Sequence, residues 1–254
     1  MIESILLSAT RVWTFAGQQS LTNASGFFFE RDGQLFVVTS RHVLIDEPSA
    51  HFPDRIEIEL HTDPDNMAQS IGFSIPLYRS GHSIWRQGQD SGGAIDIAVI
   101  ELQRSALPAS LVYSAFTPSH LNDALDVVEV GATLLVVGFP LGFHDTLHHL
   151  PVVRQAVVAS SFSLRFQGMG YFLTDARTHR GTSGAPVVMR VSPPAPELGD
   201  LQWKLLGVHS ARLDVDSRDL VLDEALGLNC AWYADILMTL TAVSYTHLRA
   251  HETF

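Results

Sequence analysis

One cysteine and one lysine stand among the 254 residues. Cys230 has no partner for an internal disulfide, so the fold must rest on its apolar core. With Lys204 the only lysine, positive charge is carried almost wholly by arginine: Lys and Arg total 16 against 27 Asp and Glu, a formal charge of −11. Such a balance gives no broad positive field, which excludes a nucleic-acid backbone or an anionic lipid surface as the expected main partner. No apolar run approaches the roughly 18 residues of a membrane-crossing helix, and Met1 to Leu7 is too short for an export signal. The expected setting is therefore soluble and cytoplasmic. The sequence also lacks a His-Glu-x-x-His motif, a Cys₂His₂ pattern, a nucleotide loop, a haem motif and a calcium loop. His144, His148 and His149, with Asp145 beside them, form a small histidine cluster outside those patterns, so no metal and no cofactor are expected.

What the chain does have is 46% hydrophobic and 17% charged residues, the balance of an ordinary folded protein. Its apolar runs are short, rich in β-branched and aromatic residues, and separated by turn formers. Those over 26–29, 35–39, 56–60, 71–78, 95–101, 133–137, 152–159, 171–174, 185–191 and 203–208 read as strands. Asp32-Gly33 between the first two is a hairpin signal. Many strands without regular intervening helices predict an all-β sandwich or barrel. Residues 104–122, with Pro108 and Pro118, read as a connection between two groups of strands. Ser192 to Gly199, with three prolines, reads as a rigid surface loop. One helix is expected after a possible cap at Asn229, on the spacing of Trp232, Ile236, Leu240 and Val243, with Leu237 widening the stripe. Residues 243–253 resemble a translated sequencing-adapter peptide and are assigned no role.

The sharpest local signal is Gly181-Thr182-Ser183-Gly184-Ala185-Pro186, leading straight into an apolar strand. Flanking glycines open backbone conformations closed to other residues. Such a turn can expose the Ser183 hydroxyl while aiming the amides of Gly181 and Ser183 at one point, as a developing oxyanion requires. The same residues also suit a plain hairpin turn. A serine hydroxyl needs a base before it attacks. His42, at the end of the run Leu35 to Arg41, is fixed by a strand end and can supply one. Asp96, entering the run Ile97 to Ile100, can orient that imidazole, and a carboxylate there needs a partner if it is buried.

The order His42, Asp96, Ser183, with TSRHV, DIAVI and TDARTHRGTSGAPVV around them, resembles the chymotrypsin-like (trypsin-like) serine peptidases. It is most similar to compact disulfide-free bacterial members, including HtrA-like proteases and glutamyl endopeptidases. The resemblance implies two antiparallel six-stranded β-barrels with a C-terminal helix. Residues 1–110 would form the barrel carrying His42 and Asp96. Residues 111–243 would form the barrel carrying Ser183 and the terminal helix, with 244–254 a tail. It departs from the family in carrying Ala185 where a second glycine is common, and in placing Arg177, His179 and Arg180 just before the serine. The rival α/β-hydrolase reading fails because Ala185 breaks Gly-x-Ser-x-Gly and both partners precede the serine.

By the same resemblance, Thr178 and His209 match the pocket threonine and histidine of glutamyl endopeptidases, and Arg177 takes the approximate position of the acidic pocket floor in trypsin. An imidazole and a hydroxyl can donate to a carboxylate or an amide carbonyl. The expected substrate is therefore a peptide or protein with Glu or Gln before the cleaved bond, hydrolysed through an acyl-enzyme. The alternative is a catalytically silent fold of this type that binds a peptide or protein partner.

Overall fold

The computed structural model describes residues 2–122, 128–210 and 227–242. Each apolar run named above falls on strand, though 71–78 is broken at Leu77 and residues 159, 185 and 191 lie just outside strand ends. In the first half, β1 (Ala9–Ala16), β2 (Gln19–Arg31), β3 (Gln34–Thr39), β4 (Arg55–His61), β5 (Ser70–Pro76), β8 (Arg86–Asp90) and β9 (Gly93–Leu102) make one antiparallel sheet in the order β5-β4-β1-β2-β3-β9-β8. A small hairpin, β6 (Tyr78–Arg79) and β7 (His82–Ser83), stands apart. In the second half, β10 (Thr133–Gly138), β11 (Val152–Val158), β12 (Tyr171–Asp175), β13 (Pro186–Arg190), β14 (Trp203–Ser210) and β15 (Leu228–Tyr233) form a closed barrel. The architecture is chymotrypsin-like, with one correction to the expected pair of six-stranded barrels: the first half is a seven-stranded sheet whose order has ends. Among the described residues β5 pairs only with β4 and β8 only with β9, and the chain between them turns into its own hairpin.

Unbroken apolar runs, rather than alternating ones, follow from burial on both faces. Leu35 and Val37 of β3 and Ala98 and Ile100 of β9 point into the core of the first sheet. Their neighbours Phe36, Val38, Ile97 and Val99 point the other way, into a second core shared with Val188, Leu205, Val208 and Trp232 of the barrel. Each such side chain, taken from water, contributes about 1.5–3 kcal/mol, so this shared layer fixes one half against the other. A third cluster, with Leu134, Val136, Phe172, Val187 and Leu206, fills the barrel itself.

The expected helix is shorter than its spacing suggested. Asn229 and Trp232 belong to β15, Ala234–Ile236 is a single 3₁₀ turn, and only Leu237–Leu240 is α-helical. Val243 lies outside the described residues. Arg31 and Arg86 seat this end by donating to the carbonyls of Met238, Leu240 and Ala242.

Candidate active site

Antiparallel pairing of β3 with β9 sets Thr39 opposite Ala98. Two residues further along each strand, the chain leaves β3 through Ser40 into the short helix α1 (Arg41–Leu44), and Asp96 faces its start. The carboxylate holds His42 twice. Oδ1 accepts the His42 backbone N–H at 2.8 Å, and Oδ2 accepts the ring Nδ1–H at 2.7 Å. Oδ2 also accepts the Ser210 hydroxyl at 2.8 Å, from the end of β14. A carboxylate can only accept, so these contacts put the imidazole proton on Nδ1 and leave the Nε2 lone pair free to take a proton. His42 and Asp96 are 17% and 15% exposed, enough enclosure to strengthen the pair and enough opening to reach a substrate.

Ser183 comes from the other half. It precedes β13 in a turn whose glycines both sit in the left-handed region, Gly181 at φ 91° and Gly184 at φ 86°. Gly184 has no room for a side chain in any case: a Cβ there would lie 2.2 Å from the Ser25 carbonyl and 2.3 Å from Thr39 Oγ1. These contacts bring the Ser183 turn against the residues that lead into His42. The Gly184 N–H donates to the His209 carbonyl, which also accepts the Ser40 hydroxyl. Among the described residues no hydrogen bond joins Ser183 to His42.

Ser25, on β2, clamps this turn across the two halves, and sequence reasoning missed it. Its N–H donates to the Ser183 carbonyl at 2.9 Å, and its hydroxyl donates to the Gly181 carbonyl at 2.8 Å while accepting the Phe139 N–H. Next to it, the Leu141 N–H donates to the Arg180 carbonyl at 2.6 Å. In a trans peptide the following N–H points opposite to the carbonyl, so this bond turns the Gly181 N–H away from that loop. Neither that N–H nor that of Ser183 donates to any acceptor among the described residues.

The remaining expected residues are more scattered. Thr178 is half-buried, and its hydroxyl donates to Asn229 Oδ1 at 2.6 Å; the Asn229 amide is held in that orientation by the Ala176 and Gly227 carbonyls. Arg177 is exposed, and its carbonyl accepts Arg154 Nε. His209 is fully buried, and neither ring nitrogen has a partner. Burial, with a smaller contribution from His42 nearby, pushes its pKa down to about 3. It is therefore neutral at pH 7 and adds no charge beside His42.

That depression has a consequence for stability. An unfolded histidine takes up a proton near pH 6.5, whereas His209 in the fold refuses it down to about pH 3. The unfolded state binds the extra proton in between, so His209 lowers stability as pH falls from about 6.5 toward 3. Melting temperatures at pH 7.5 and pH 5 should show a smaller acid loss for His209→Phe than for the parent chain. Equal losses would refute this account.

The histidine cluster does not converge. His144 Nδ1 donates to the Gly142 carbonyl and Nε2 accepts from Arg11. His148 bonds Asp145, whose pKa its side chain and backbone hold near 2, and His149 faces Glu59 at 3.6 Å. Among the described residues no three His, Cys, Asp or Glu side chains gather in a way that would hold a metal ion, and no helix is long and apolar enough to cross a membrane.

A sheet and a barrel joined through a shared core, with the Ser183 turn of one held against the strand end that leads into His42 of the other, define a chymotrypsin-like fold. Residues 24–191 match the family described as the trypsin-like peptidase domain, and the chain belongs to that family. Among solved structures it is similar to a serine endoprotease from Yersinia pestis, at 16% identity and a TM-score of 0.53, over 93% of this chain and 62% of that one. This chain thus spans less than two thirds of that protease. It is also similar to the active form of the Rv3671c protease from M. tuberculosis, at 16% identity and a TM-score of 0.49, over 94% of this chain and 83% of that one. No curated protein matches.

Proposed function

We propose that the chain is an endopeptidase in which Ser183 attacks, His42 acts as base and then acid, and Asp96 holds the imidazole. The observation that carries this reading is the grip of Asp96 on His42, which leaves Nε2 as the only basic ring nitrogen. As Ser183 Oγ bonds to the substrate carbonyl carbon, its proton passes to His42 Nε2. The resulting imidazolium is stabilised by the Asp96 carboxylate, which the Ser210 hydroxyl helps to hold in place. The negative charge moves to the carbonyl oxygen, which the Gly181 and Ser183 N–H groups are free to receive. Collapse of this intermediate breaks the C–N bond, and Nε2–H protonates the departing amine. Water, giving a proton to His42 Nε2, then attacks the ester carbon, and as the C–Oγ bond breaks Nε2–H returns that proton to Ser183 Oγ.

For the residue before the cleaved bond we infer Glu or Gln. Support comes from His209, which carries a donor and an acceptor without partners in a fully buried setting, an arrangement costly enough to favour a polar guest. The ring is enclosed, so the reading requires the pocket wall to open on binding. Thr178 joins the contact as a donor only by releasing Asn229. Matched peptides differing only in Glu, Gln, Lys or Phe at that position test it: higher kcat/KM for Glu or Gln is expected, and a Lys or Phe preference would overturn it.

Labelling by a fluorophosphonate separates the peptidase from a silent binding fold, because it needs only an activated serine and an open oxyanion site. Covalent, stoichiometric labelling that Ser183→Ala abolishes is the expected result. A folded chain that resists the reagent would be the binding module.

A further inference from the structure

Arginine pairing in this molecule is uneven. Arg11, Arg31, Arg55, Arg86, Arg104 and Arg165 each meet an Asp or Glu. Arg190 lies over the Trp203 ring, Arg41 bonds Gln87, and Arg79, exposed on the β6–β7 hairpin of the first half, meets no carboxylate among the described residues. Arg154, Arg177 and Arg180 meet no carboxylate among the described residues, although acids outnumber bases in the chain by 27 to 16. These three are neighbours in the fold. Arg177 and Arg180 are exposed on the loop that runs into Ser183, and Arg154 reaches that loop from β11 to donate to the Arg177 carbonyl. In an acidic protein, three arginines that meet no carboxylate among the described residues, on and against the loop that leads into Ser183, form a local positive rim. Attraction from such a rim acts within about a Debye length, roughly 8–10 Å, which covers a few residues of bound substrate.

We propose that this rim selects acidic polypeptide segments, so that Asp and Glu at positions flanking the cleaved bond, beyond the residue in the primary pocket, strengthen substrate binding. The inference rests on the peptidase reading for the place of the cleft, but it concerns charge recognition and is tested by binding. Arg180 is the first contact expected, since its backbone already borders the oxyanion site while its side chain is solvent-exposed. Arg154 is braced by its own Nε bond, so its terminal nitrogens are presented in a fixed direction. Exposed guanidinium–carboxylate pairs each add a factor of about 1.5–5, and three together give roughly tenfold.

The test uses the full chain carrying Ser183→Ala, so that no peptide is consumed, and two fluorescent peptides of one sequence. In one peptide the flanking positions are Glu and Asp, and in the other they are Gln and Asn. Fluorescence anisotropy at about 50 mM salt should show the acidic peptide binding roughly tenfold more tightly. That advantage should shrink as salt rises and fall below about twofold when Arg154, Arg177 and Arg180 are all replaced by Gln. Should the triple variant fail to fold, Arg180→Gln alone should still lower the advantage at least twofold. Equal binding of the two peptides, or an advantage that survives both the substitutions and high salt, would overturn the proposal. Failure of the parent chain to take up a fluorophosphonate would instead remove the peptidase reading and leave the anisotropy result standing.

Discussion

Replacing Ser183 by Ala should lower peptide turnover by about 10⁴–10⁶ while leaving the fold nearly unchanged. The size follows from the role: without Oγ no acyl-enzyme forms, and only the oxyanion donors and substrate binding remain to act on an attacking water. The small structural cost follows from what the hydroxyl touches. It makes no hydrogen bond to another described residue, so its loss leaves no buried group stranded. The turn is held by other atoms, namely the Ser183 carbonyl on the Ser25 N–H and the Gly184 N–H on the His209 carbonyl, and both survive the change. The melting temperature should stay within about 2 °C of the parent, a surface-like effect. A variant that keeps parental turnover on the same peptide would remove Ser183 as nucleophile.

The turn that carries Ser183 is legible because its conformation is written in contiguous sequence: two glycines, a serine, and a strand directly after. His42 and Asp96 were legible for a related reason, since each sits where an apolar run starts or stops. The residues that were missed act through groups the sequence does not distinguish. Ser25 works by one N–H and one hydroxyl on a turn 156 positions away, and nothing in Asn23-Ala24-Ser25-Gly26 marks it as more than a small residue in a strand. Ser210 reaches Asp96 across 114 positions, and its only sign is its place after His209 at the end of β14.

Among the strands, those written as sustained apolar runs are readable and those whose runs are broken by polar residues are not, whatever their burial. β1, Ala-Thr-Arg-Val-Trp-Thr-Phe-Ala, is buried over most of its length yet carries polar residues throughout, and β8, Arg-Gln-Gly-Gln-Asp, is an edge strand with little to bury. The overextended helix has a similar cause. Trp232 faces the shared core from a strand, and Leu237 and Leu240 face it from a helical turn beyond, so two elements together imitate one period. Periodicity records which residues share a core, and here that core was contacted by a change of element.

Asp96→Asn should cost about 10⁴ in kcat, even though it swaps one oxygen for a nitrogen of the same size. The wild-type carboxylate accepts three hydrogen bonds, from the His42 N–H, the His42 ring and the Ser210 hydroxyl. An amide has one acceptor oxygen and one donor NH₂. The backbone N–H of His42 cannot become an acceptor, so the amide oxygen stays with it. The NH₂ then faces the ring Nδ1 and Ser210. Ser210 can rotate its hydroxyl to accept, but Nδ1 can accept only by giving up its proton, which moves to Nε2. The nitrogen that should receive the serine proton then carries one of its own. Geometry is retained while the base is lost, so binding of a substrate peptide to this variant should change little and fluorophosphonate labelling should slow in step with kcat. A variant that labels at the parental rate would show that the orientation of His42 is set elsewhere, and Asp96 would revert to a half-buried partner of the strand end.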